Sequence, residues 1–387
     1  MRYVPRRIEP TLLAAARRFP AVILTGPRRS GKTTLLRHAF PGASYHLLED
    51  PDLVGRVRAD PRGFLEAART PAILDEIQHA PELLSYVRTL VDAHPRRAGR
   101  WILTGSQEAP LMRGVTESLA GRAAVLQLLP LSLEETPKVS LLRGGFPEVL
   151  ARPSAARLWF SSYVQTYLER DVRAVSAIRD LATFRRFLGL VASRCGQLLN
   201  KTNLAAPLGV SVPTVTEWLS ILEITGQVAL VPPYFESFGK RLVKSPKLYL
   251  LDSGVAAFLL GIESEQDLAR SPFLGPLFEG FVASEIVKRQ VNGGRRRELF
   301  HFRDEQGLEV DFVVPVRGRQ LLLIEAKASR TVRPEEAGNL AKLSHAVRGR
   351  KPAGVLVFRG SRAGSETTAL RPGVRALPLA ETLALIG

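Results

Sequence analysis

The stretch LTGPRRSGKTTLL, from Leu24 to Leu36, constrains the fold more than any other part of the 387-residue sequence. Its central part, Gly26 to Thr33, matches the Walker A spacing G-x-x-x-x-G-K-[ST] without a gap. A short apolar run, Ala21 to Thr25, precedes it. We therefore predict a strand, then a loop whose backbone N–H groups surround a phosphate, then a helix that begins near Lys32 and directs its positive dipole end at the anion.

The residue types in this loop each match one requirement of phosphate binding. Glycine leaves room where the backbone approaches the phosphate, Lys32 reaches the β- and γ-phosphate oxygens, and the hydroxyl of Thr33 binds Mg²⁺. The cofactors we predict are ATP and Mg²⁺. The predicted nucleotide-binding residues are Gly26, Pro27, Arg28, Arg29, Ser30, Gly31, Lys32, Thr33 and Thr34.

A second apolar run, Ala72 to Asp75, ends in two acids, Asp75 and Glu76. A P-loop enzyme that hydrolyses its nucleotide needs a carboxylate for the metal ion and a residue that orients the attacking water. We predict that Asp75 holds Mg²⁺ through its hydration shell and that Glu76 polarises the water. The alternative is an ordinary acidic pair at the end of a strand.

A third apolar run begins at Trp101 and ends in small polar residues. Ligands bind beyond the carboxyl ends of strands in open α/β sheets, so Ser106, or Thr104, is a candidate sensor of the γ-phosphate. Downstream, Arg122 precedes a fourth strand-like run. We predict that Arg122 contacts a γ-phosphate in its own or a neighbouring subunit, with a surface ion pair as the alternative.

These motifs carry a resemblance to a known family. The order of Walker A, an Asp-Glu Walker B and a polar sensor strand resembles the AAA+ branch of P-loop ATPases. The phrases ILTGPRRSGKTTLL, AILDEIQ, ILTGSQ, LAGRAAVLQLLPLSLEE, GGFPEVL and YLERDV resemble a family of prokaryotic ATPases that join an AAA+ domain to a C-terminal domain of unknown function. The resemblance covers most of the chain and implies an ATP hydrolase, without indicating the target of that hydrolysis.

Composition suggests the kind of partner. The sequence has 54 Lys and Arg against 37 Asp and Glu, a formal charge of +17, which favours DNA as a partner and an anionic membrane second. A general arginine bias is the alternative. The single cysteine, Cys195, excludes an internal disulfide and suits a reducing compartment. No apolar run is long enough for a membrane span, and we expect a cytoplasmic protein without membrane contact.

The middle of the chain reads as two helical parts. Apolar residues at helical spacing predict a small lid after the ATPase core. Farther on, Ser211 is a candidate N-cap of a helix that ends before Gly226 and buries Val215 and Trp218. Two following runs, Gln227 to Val231 and Lys247 to Leu251, pair as strands around a basic loop in our prediction, which gives a winged helix-turn-helix. Pro207 and the exposed Glu217 weaken a DNA-reading role for the helices, so the basic loop is the better DNA candidate.

The last third of the sequence has the layout of a PD-(D/E)XK nuclease. Asp311 opens one apolar run, and Glu325 and Lys327 end the next. In our prediction these acids hold Mg²⁺ across a hairpin, and Lys327 activates the attacking water. Glu285 lies on the apolar side of a preceding helix and is predicted as a third metal ligand, with Lys327 or Arg289 as other partners. The alternative is a structural ion cluster in a degenerate nuclease fold.

Together these features predict an α/β protein with four segments: a P-loop AAA+ core over 1–130, a helical lid over 131–190, a winged helix-turn-helix over 191–252 and a nuclease-like domain over 253–387. The predicted function is an Mg²⁺-dependent ATPase that binds DNA and moves along or remodels it. We predict that it acts as a homo-oligomer in which one subunit completes the next subunit's site. Two alternatives stay open: an ATP-gated nuclease, and a nucleotide-dependent switch with protein partners and no DNA.

Overall fold

The computed structural model describes residues 3–105, 118–168, 181–234, 243–360 and 369–386. Element numbers below cover these residues alone. The mixed α/β class predicted from the sequence is confirmed, with one five-stranded sheet, one six-stranded sheet and one two-stranded sheet.

The five-stranded sheet carries the phosphate-binding motifs. Its strands pair in parallel in the order β2-β3-β4-β1-β5. The sensor strand β4 thus lies between the strand before the Walker A loop and the strand that ends in Asp75, which brings both motifs to one sheet edge. The strands are β1 (Ala21–Thr25), β2 (Ser44–Leu47), β3 (Ala72–Asp75), β4 (Trp101–Thr104) and β5 (Ala123–Gln127).

Helices cover both faces of this sheet, and two separate apolar clusters fill the space between the layers. β1, β3 and β4 are buried along their whole length, as expected for parallel strands covered on both sides. The helices are α1 (Glu9–Ala16), α2 (Lys32–Ala39), α3 (Pro51–Ala59), α4 (Pro61–Ala67) and α5 (Leu83–Ala93), with a 3₁₀ turn at Ile77–His79.

The middle of the chain is mostly helical. It contains α6 (Pro147–Ala151), α7 (Ala156–Tyr163) with a π turn at Val164–Leu168, α8 (Leu181–Ser193), α9 (Lys201–Ala205) and α10 (Val212–Ile224), with 3₁₀ turns at Pro153–Ala155 and Ala206–Leu208. The α-helical geometry of α9 ends at Ala205, two residues before Pro207. Ser211 caps α10 by accepting a hydrogen bond from the backbone N–H of Thr214, which confirms the predicted helix start.

After α10 the chain forms the predicted pair of strands. β6 (Val228–Val231) and β7 (Lys247–Leu250) are antiparallel, with Val228 opposite Leu250. Most of the basic loop between them, 235–242, lies outside the described residues. The strand pairing is therefore confirmed, and the DNA-binding winged helix stays a prediction.

The C-terminal part is a six-stranded sheet in the order β12-β13-β11-β10-β9-β8. The predicted hairpin is present, because β9 and β10 are antiparallel with Phe312 opposite Ile324. The elements are α11 (Ser253–Leu259), α12 (Glu265–Arg270), α13 (Leu274–Val291), β8 (Phe300–Arg303), β9 (Glu309–Pro315), β10 (Gln320–Lys327), α14 (Gly338–Ala346), β11 (Lys351–Phe358), β12 (Ala369–Arg371), β13 (Val374–Pro378) and α15 (Leu379–Ala384), with a 3₁₀ turn at Pro334–Ala337.

The long helix α13 joins the middle and C-terminal parts. It is buried on nearly all sides, and it belongs to one continuous apolar cluster that extends from Leu129 to Ile386. Cys195 belongs to the same cluster and is buried. Among the helices of the described residues, none combines the length and apolar content that a membrane crossing requires.

Candidate functional site: a P-loop pocket and a second acidic cluster

The Walker A loop has the conformation of a phosphate cradle. Gly31 directly precedes α2 with a φ of 98°, a left-handed value that glycine adopts without strain. Gly26 has a φ of 142°, and a Cβ at this position would lie 2.1 Å from the carbonyl oxygen of Leu128. Both glycines are thus required by the path of the backbone, which leads the loop directly into the N-terminus of a helix.

The side chain of Lys32, the first residue of α2, points back into the phosphate-binding loop. Its ammonium group is almost completely buried and donates to the carbonyl oxygens of Gly26 and Pro27, each at 3.1 Å. Carbonyl oxygens stabilise a buried ammonium only partly, because they carry no net charge. The lysine is therefore held in position by neutral acceptors that a phosphate oxygen would outcompete electrostatically.

Asp75 is the centre of a hydrogen-bond network at the end of β3. Its Oδ2 atom accepts from the hydroxyls of Thr33 at 2.8 Å and Tyr45 at 2.6 Å, and its Oδ1 atom accepts from the hydroxyl of Thr104. The predicted pair Thr33 and Asp75 is thus brought together by the sheet. Tyr45, on the neighbouring strand β2, was not predicted, and no sequence motif marks it.

Glu76 has an unusual backbone conformation. Its φ is 60° and its ψ is 51°, a left-handed conformation that costs a non-glycine residue free energy and often occurs at functional sites. Its carboxylate accepts from the amide of Gln78, and its backbone N–H donates to Thr104 Oγ1 at 3.2 Å. The turn directs Glu76 toward the cavity that the phosphate loop also lines.

A cavity of about 510 Å³ lies over these residues. Its lining includes six of the predicted nucleotide-binding residues together with both predicted acids, namely Arg28, Arg29, Gly31, Lys32, Thr33, Thr34, Asp75 and Glu76. A smaller cavity of about 220 Å³ adjoins it and shares Gly31 and Thr34. Tyr3 and Val4 line this second cavity, which is more apolar and suits the flat face of a nucleobase.

The donor set fits Mg·ATP. A hydroxyl and a carboxylate, Thr33 and Asp75, already share a hydrogen bond, and oxygen ligands of this kind are the ones that Mg²⁺ prefers alongside phosphate oxygens. Thr33 and Asp75 would hold the ion, and Lys32 would hold the phosphates. When bound, Mg²⁺ neutralises negative charge on the phosphates.

The other predicted residues of this region have different outcomes. Arg28 lies 3.6 Å from Glu49, an acid that the sequence reasoning missed and that also contacts His79. Arg122 forms an exposed ion pair with Asp92, with Nη2 and Oδ2 at 3.1 Å, and its hydrogen bonds lower the pKa of Asp92. Within one chain this is the surface ion pair named as the alternative. Ser106 lies outside the described residues.

A second acidic cluster occupies the C-terminal hairpin. Extending the strand register by one pair puts Asp311 opposite Glu325, as predicted. Asp311 Oδ2 accepts from the backbone N–H of Ala326 at 3.0 Å, and Lys327 Nζ lies 2.9 Å from Glu325 Oε1. The three predicted hairpin residues are therefore neighbours.

The centre of this cluster is a lysine that the sequence reasoning did not identify. Lys247, on β7, is buried and places its Nζ atom 3.0 Å from Glu279, 2.8 Å from Glu309 and 3.2 Å from Asp311. Burial opposes its charged form, yet the carboxylates of Glu279, Asp311 and Glu309 raise the pKa of Lys247. The ammonium of Lys247 thus supplies positive charge to Glu279, Glu309 and Asp311, while Glu325 pairs with Lys327.

Glu285 is not a member of this cluster, which corrects the prediction of a third metal ligand there. Its side chain is fully buried, and its two oxygens accept from Lys288 Nζ at 3.0 Å and the backbone N–H of Leu133 at 2.7 Å. Glu279 is the acid of α13 that approaches Asp311. The two glutamates are six positions apart, which on an α-helix is a rotation of about 120° and a rise of about 9 Å.

Burial also changes the protonation of two acids in this cluster. Burial raises the pKa of Glu325 to about 7, and the charge of Asp311 adds to the rise. Burial and Asp311 likewise raise the pKa of Glu279 to about 7. Within the described ranges, no group of three or more His, Cys, Asp or Glu side chains is arranged to hold a metal ion. The cluster matches the alternative of a structural ion network.

The helix α10 presents a surface that suits phosphate poorly. Val215 and Trp218 are buried, as predicted, and so are Leu219 and Leu222. The outer face forms an apolar groove whose lining includes Val212, Ile221 and Ile224, with Glu217 exposed beside them. A carboxylate and an apolar surface repel a phosphate backbone or leave it without partners.

Comparison with known proteins agrees with this geometry. Residues 18–136 match the model of an AAA domain, residues 135–266 match a domain of unknown function (DUF8612), and residues 274–381 match another (DUF4143). An uncharacterized protein of Mycobacterium tuberculosis is 34% identical over 315 residues, covering 80% of this chain and 70% of the relative. An uncharacterized protein of Methanocaldococcus jannaschii is 20% identical over 358 residues, covering 81% and 76%.

Among solved structures, the Walker-type ATPase of Pyrococcus abyssi is similar at 15% identity, with 65% of this chain and 94% of that chain covered and a TM-score of 0.43. The AAA domain match spans the Walker A loop, the Asp75–Glu76 pair and the sensor strand, and the C-terminal match spans the hairpin of Asp311 and Glu325. The chain therefore belongs to the family of prokaryotic AAA+ ATPases that carry a C-terminal domain of unknown function.

Proposed function

We propose that this ATPase depends on Mg²⁺, binds DNA without sequence preference and uses hydrolysis to move along or remodel the DNA, in the cytoplasm and as a homo-oligomer. The observation that carries the proposal is the pocket in which Lys32, Thr33, Asp75 and Glu76 converge. The charge of +17 supports a polyanionic partner.

The residues of the pocket divide the work of hydrolysis. Lys32 binds phosphate oxygens and stabilises the charge that develops on them, because its ammonium is already aimed into the loop. Glu76 orients the attacking water and takes its proton. Thr104 donates to Asp75 and accepts from the backbone of Glu76, so the sensor strand keeps both acids in register.

Steady-state ATP turnover tests the proposal. The purified chain is assayed with single-stranded, duplex and branched DNA over a salt series, with Lys32→Ala as the inactive control. We expect stimulation by at least one DNA class, which fades as salt rises because phosphate contacts release counterions. Turnover that no DNA changes at any salt concentration would contradict the DNA role, while the ATPase assignment would stand.

The second candidate is a nucleotide-dependent switch with protein partners. The apolar outer face of α10, with the acidic Glu217 beside it, favours this candidate because it suits a protein surface better than a phosphate backbone. A switch predicts slow turnover, tight retention of the nucleotide and no loss of partner binding with salt. The nuclease alternative is disfavoured, because Lys247 fills the centre of the acidic cluster.

A further inference from the structure

Five arginines gather where the N-terminal segment meets the C-terminal part. They come from three separate regions of the chain: the segment before α1, the end of α13 with the turn that follows it, and the turn between β9 and β10. We call this set the arginine surface; it consists of Arg7, Arg289, Arg295, Arg296 and Arg317.

The positive charge of this surface is only partly compensated. Glu134 is shared, with Oε1 2.6 Å from Arg7 Nη1 and also paired with Arg289. Within the described residues, Arg296 and Arg317 have no carboxylate partner, and both are exposed. Burial and the charges of Arg289, Arg317 and Arg7 lower the pKa of Arg295, and the charge of Glu298 opposes this shift.

The backbone holds the exposed arginines in place. Gly294 has a φ of 73°, and a Cβ there would lie 2.5 Å from Thr11 Cγ2, so the Gly293–Gly294 turn packs tightly on α1. Arg295 follows this turn and donates from Nη2 to the carbonyl oxygen of Ile386 at 3.0 Å. The turn that carries Arg317 is closed by the N–H of Val316 donating to Gln320 at 2.9 Å. The side chain of Arg295 therefore loses little freedom when it binds a phosphate, and the two turns fix the backbone positions of Arg296 and Arg317.

We infer that the arginine surface binds the phosphate backbone of duplex DNA, an inference that rests on the proposed function. Guanidinium groups bind phosphate oxygens in a two-pronged geometry, and several of them on one surface match the regular charge of a duplex. Binding to a membrane surface is stronger when apolar side chains beside the charges insert between the lipids. The large exposed apolar residues of the described chain lie in other elements: Leu47, Val125, Leu158 and Val212.

The surface has a short route to the ATP site. Glu134 holds Arg7 and Arg289, and the next residue, Glu135, lies 3.0 Å from Arg6 Nε. Arg6 is buried and donates to the carbonyl oxygen of Ser30 in the phosphate loop at 2.8 Å. A DNA phosphate that replaces Glu134 as the partner of Arg7 and Arg289 thus acts one residue away from Glu135. Glu135 holds Arg6, and Arg6 supports the phosphate loop through Ser30. This route links DNA contact to the position of the phosphate loop.

The test compares two triple variants of the full chain with equal loss of charge. The first is Arg295→Gln, Arg296→Gln and Arg317→Gln. The control is Arg62→Gln, Arg96→Gln and Arg97→Gln, which removes three exposed arginines of the ATPase core. Fluorescence anisotropy with a labelled duplex gives the affinity over a salt series, and basal ATP turnover checks that each variant folds. A double variant, Arg296→Gln with Arg317→Gln, keeps the Arg295 contact to Ile386 intact.

We expect the first variant to bind DNA at least about tenfold more weakly, with the slope of log K against log salt reduced by about 3, while the control stays near the wild type. The double variant is expected to lose about 2 from the slope. Equal behaviour of the first variant and the control would overturn the surface but leave the DNA role intact. Wild-type protein that binds no DNA would overturn the proposed function as well. Binding of phosphatidylglycerol vesicles or polyglutamate that depends on these arginines, with DNA binding unchanged, would overturn the choice of partner.

Discussion

The two acidic sites of this protein look alike in sequence and differ in how their charge is balanced. Asp75 and Glu76 border a cavity of about 510 Å³ and receive hydrogen bonds from neutral hydroxyl and amide groups. Asp311 and its neighbours Glu279 and Glu309 surround the ammonium of Lys247. The first site can accept an external cation with its nucleotide, and the second already contains one.

Acids at strand ends therefore do not by themselves define a metal site. A buried carboxylate must be neutralised by a proton, a metal ion or a cationic side chain, and only the spatial neighbours decide which. At the second site the protein supplies the cation from β7, and burial favours the protonated forms of Glu279 and Glu325 by raising their pKa values to about 7.

The largest expected effect is at the first site, where Asp75 and Glu76 border the cavity. Glu76→Gln removes the group that takes the proton from water, and we expect ATP turnover to fall by about 10²- to 10⁴-fold while nucleotide binding persists. Phosphate release and the binding of a fluorescent ATP analogue measure the two properties. Turnover within a few-fold of the wild type would show that another group activates the water.

The next largest effect is a loss of stability at the second site, around Lys247. Lys247→Met leaves the carboxylates of Glu279 and Asp311 without their cation and leaves Glu309 with Arg303 alone, and we expect a loss of about 3–5 kcal/mol in the free energy of unfolding. Lys327→Met is the matched control: within the described residues its ammonium forms an ion pair with Glu325 alone, its side chain is 34% exposed, and we expect stability to change by less than about 1 kcal/mol. Guanidinium unfolding compares the two, and similar losses would contradict a central role for Lys247.

A smaller effect is a change in the pH dependence of stability. The pKa of Glu325 is raised to about 7 by burial, above the ordinary value near 4.5, so between these pH values the native state retains a proton that the unfolded state releases. Its contribution to stability is present below about pH 4.5 and is lost as the pH rises through about 7. Glu325→Gln removes this loss. The denaturant midpoint of the variant, relative to that of the wild type, should therefore rise between pH 5 and pH 8. A constant difference would contradict the raised pKa.

The smallest expected effect is at the first site, around Asp75. Tyr45→Phe removes the hydroxyl that donates to Asp75 at 2.6 Å and leaves Thr33 and Thr104 as donors. Because two of three donors remain, we expect a loss of about 1 kcal/mol in Mg·ATP binding, roughly a fivefold rise in KM, with little change in kcat. Initial rates over a range of Mg·ATP concentrations measure both constants. A fall in kcat with KM unchanged would place Tyr45 in the chemical step.

The sequence predicted the local part of the ATP site well, because its chemistry is contiguous. The Walker A loop, the strands at Ala72 and Trp101, and the capped helix at Ser211 follow from short-range steric and hydrogen-bonding rules. All of these elements are present with nearly the predicted bounds. Tyr45 was missed because its contact to Asp75 joins residues 30 positions apart on neighbouring strands.

Sequence patterns did not identify all members of the acidic cluster. α13 is buried on nearly all sides, so hydrophobic periodicity does not reveal which of its faces meets the hairpin, and Glu285 was chosen where Glu279 is the neighbour. Lys247 is 64 positions from Asp311 and lies in a strand that pairs with β6. Only the packing of the middle of the chain against the C-terminal sheet brings that lysine to the acids.

The central claim is that one acidic site takes an external metal ion and the other is filled by Lys247. A Mn²⁺ titration followed by electron paramagnetic resonance tests it directly, with and without an ATP analogue. We expect one bound Mn²⁺ per chain. Its binding should require the nucleotide and should be lost in Asp75→Asn. A Mn²⁺ site that forms without nucleotide and is lost in Asp311→Asn would contradict it.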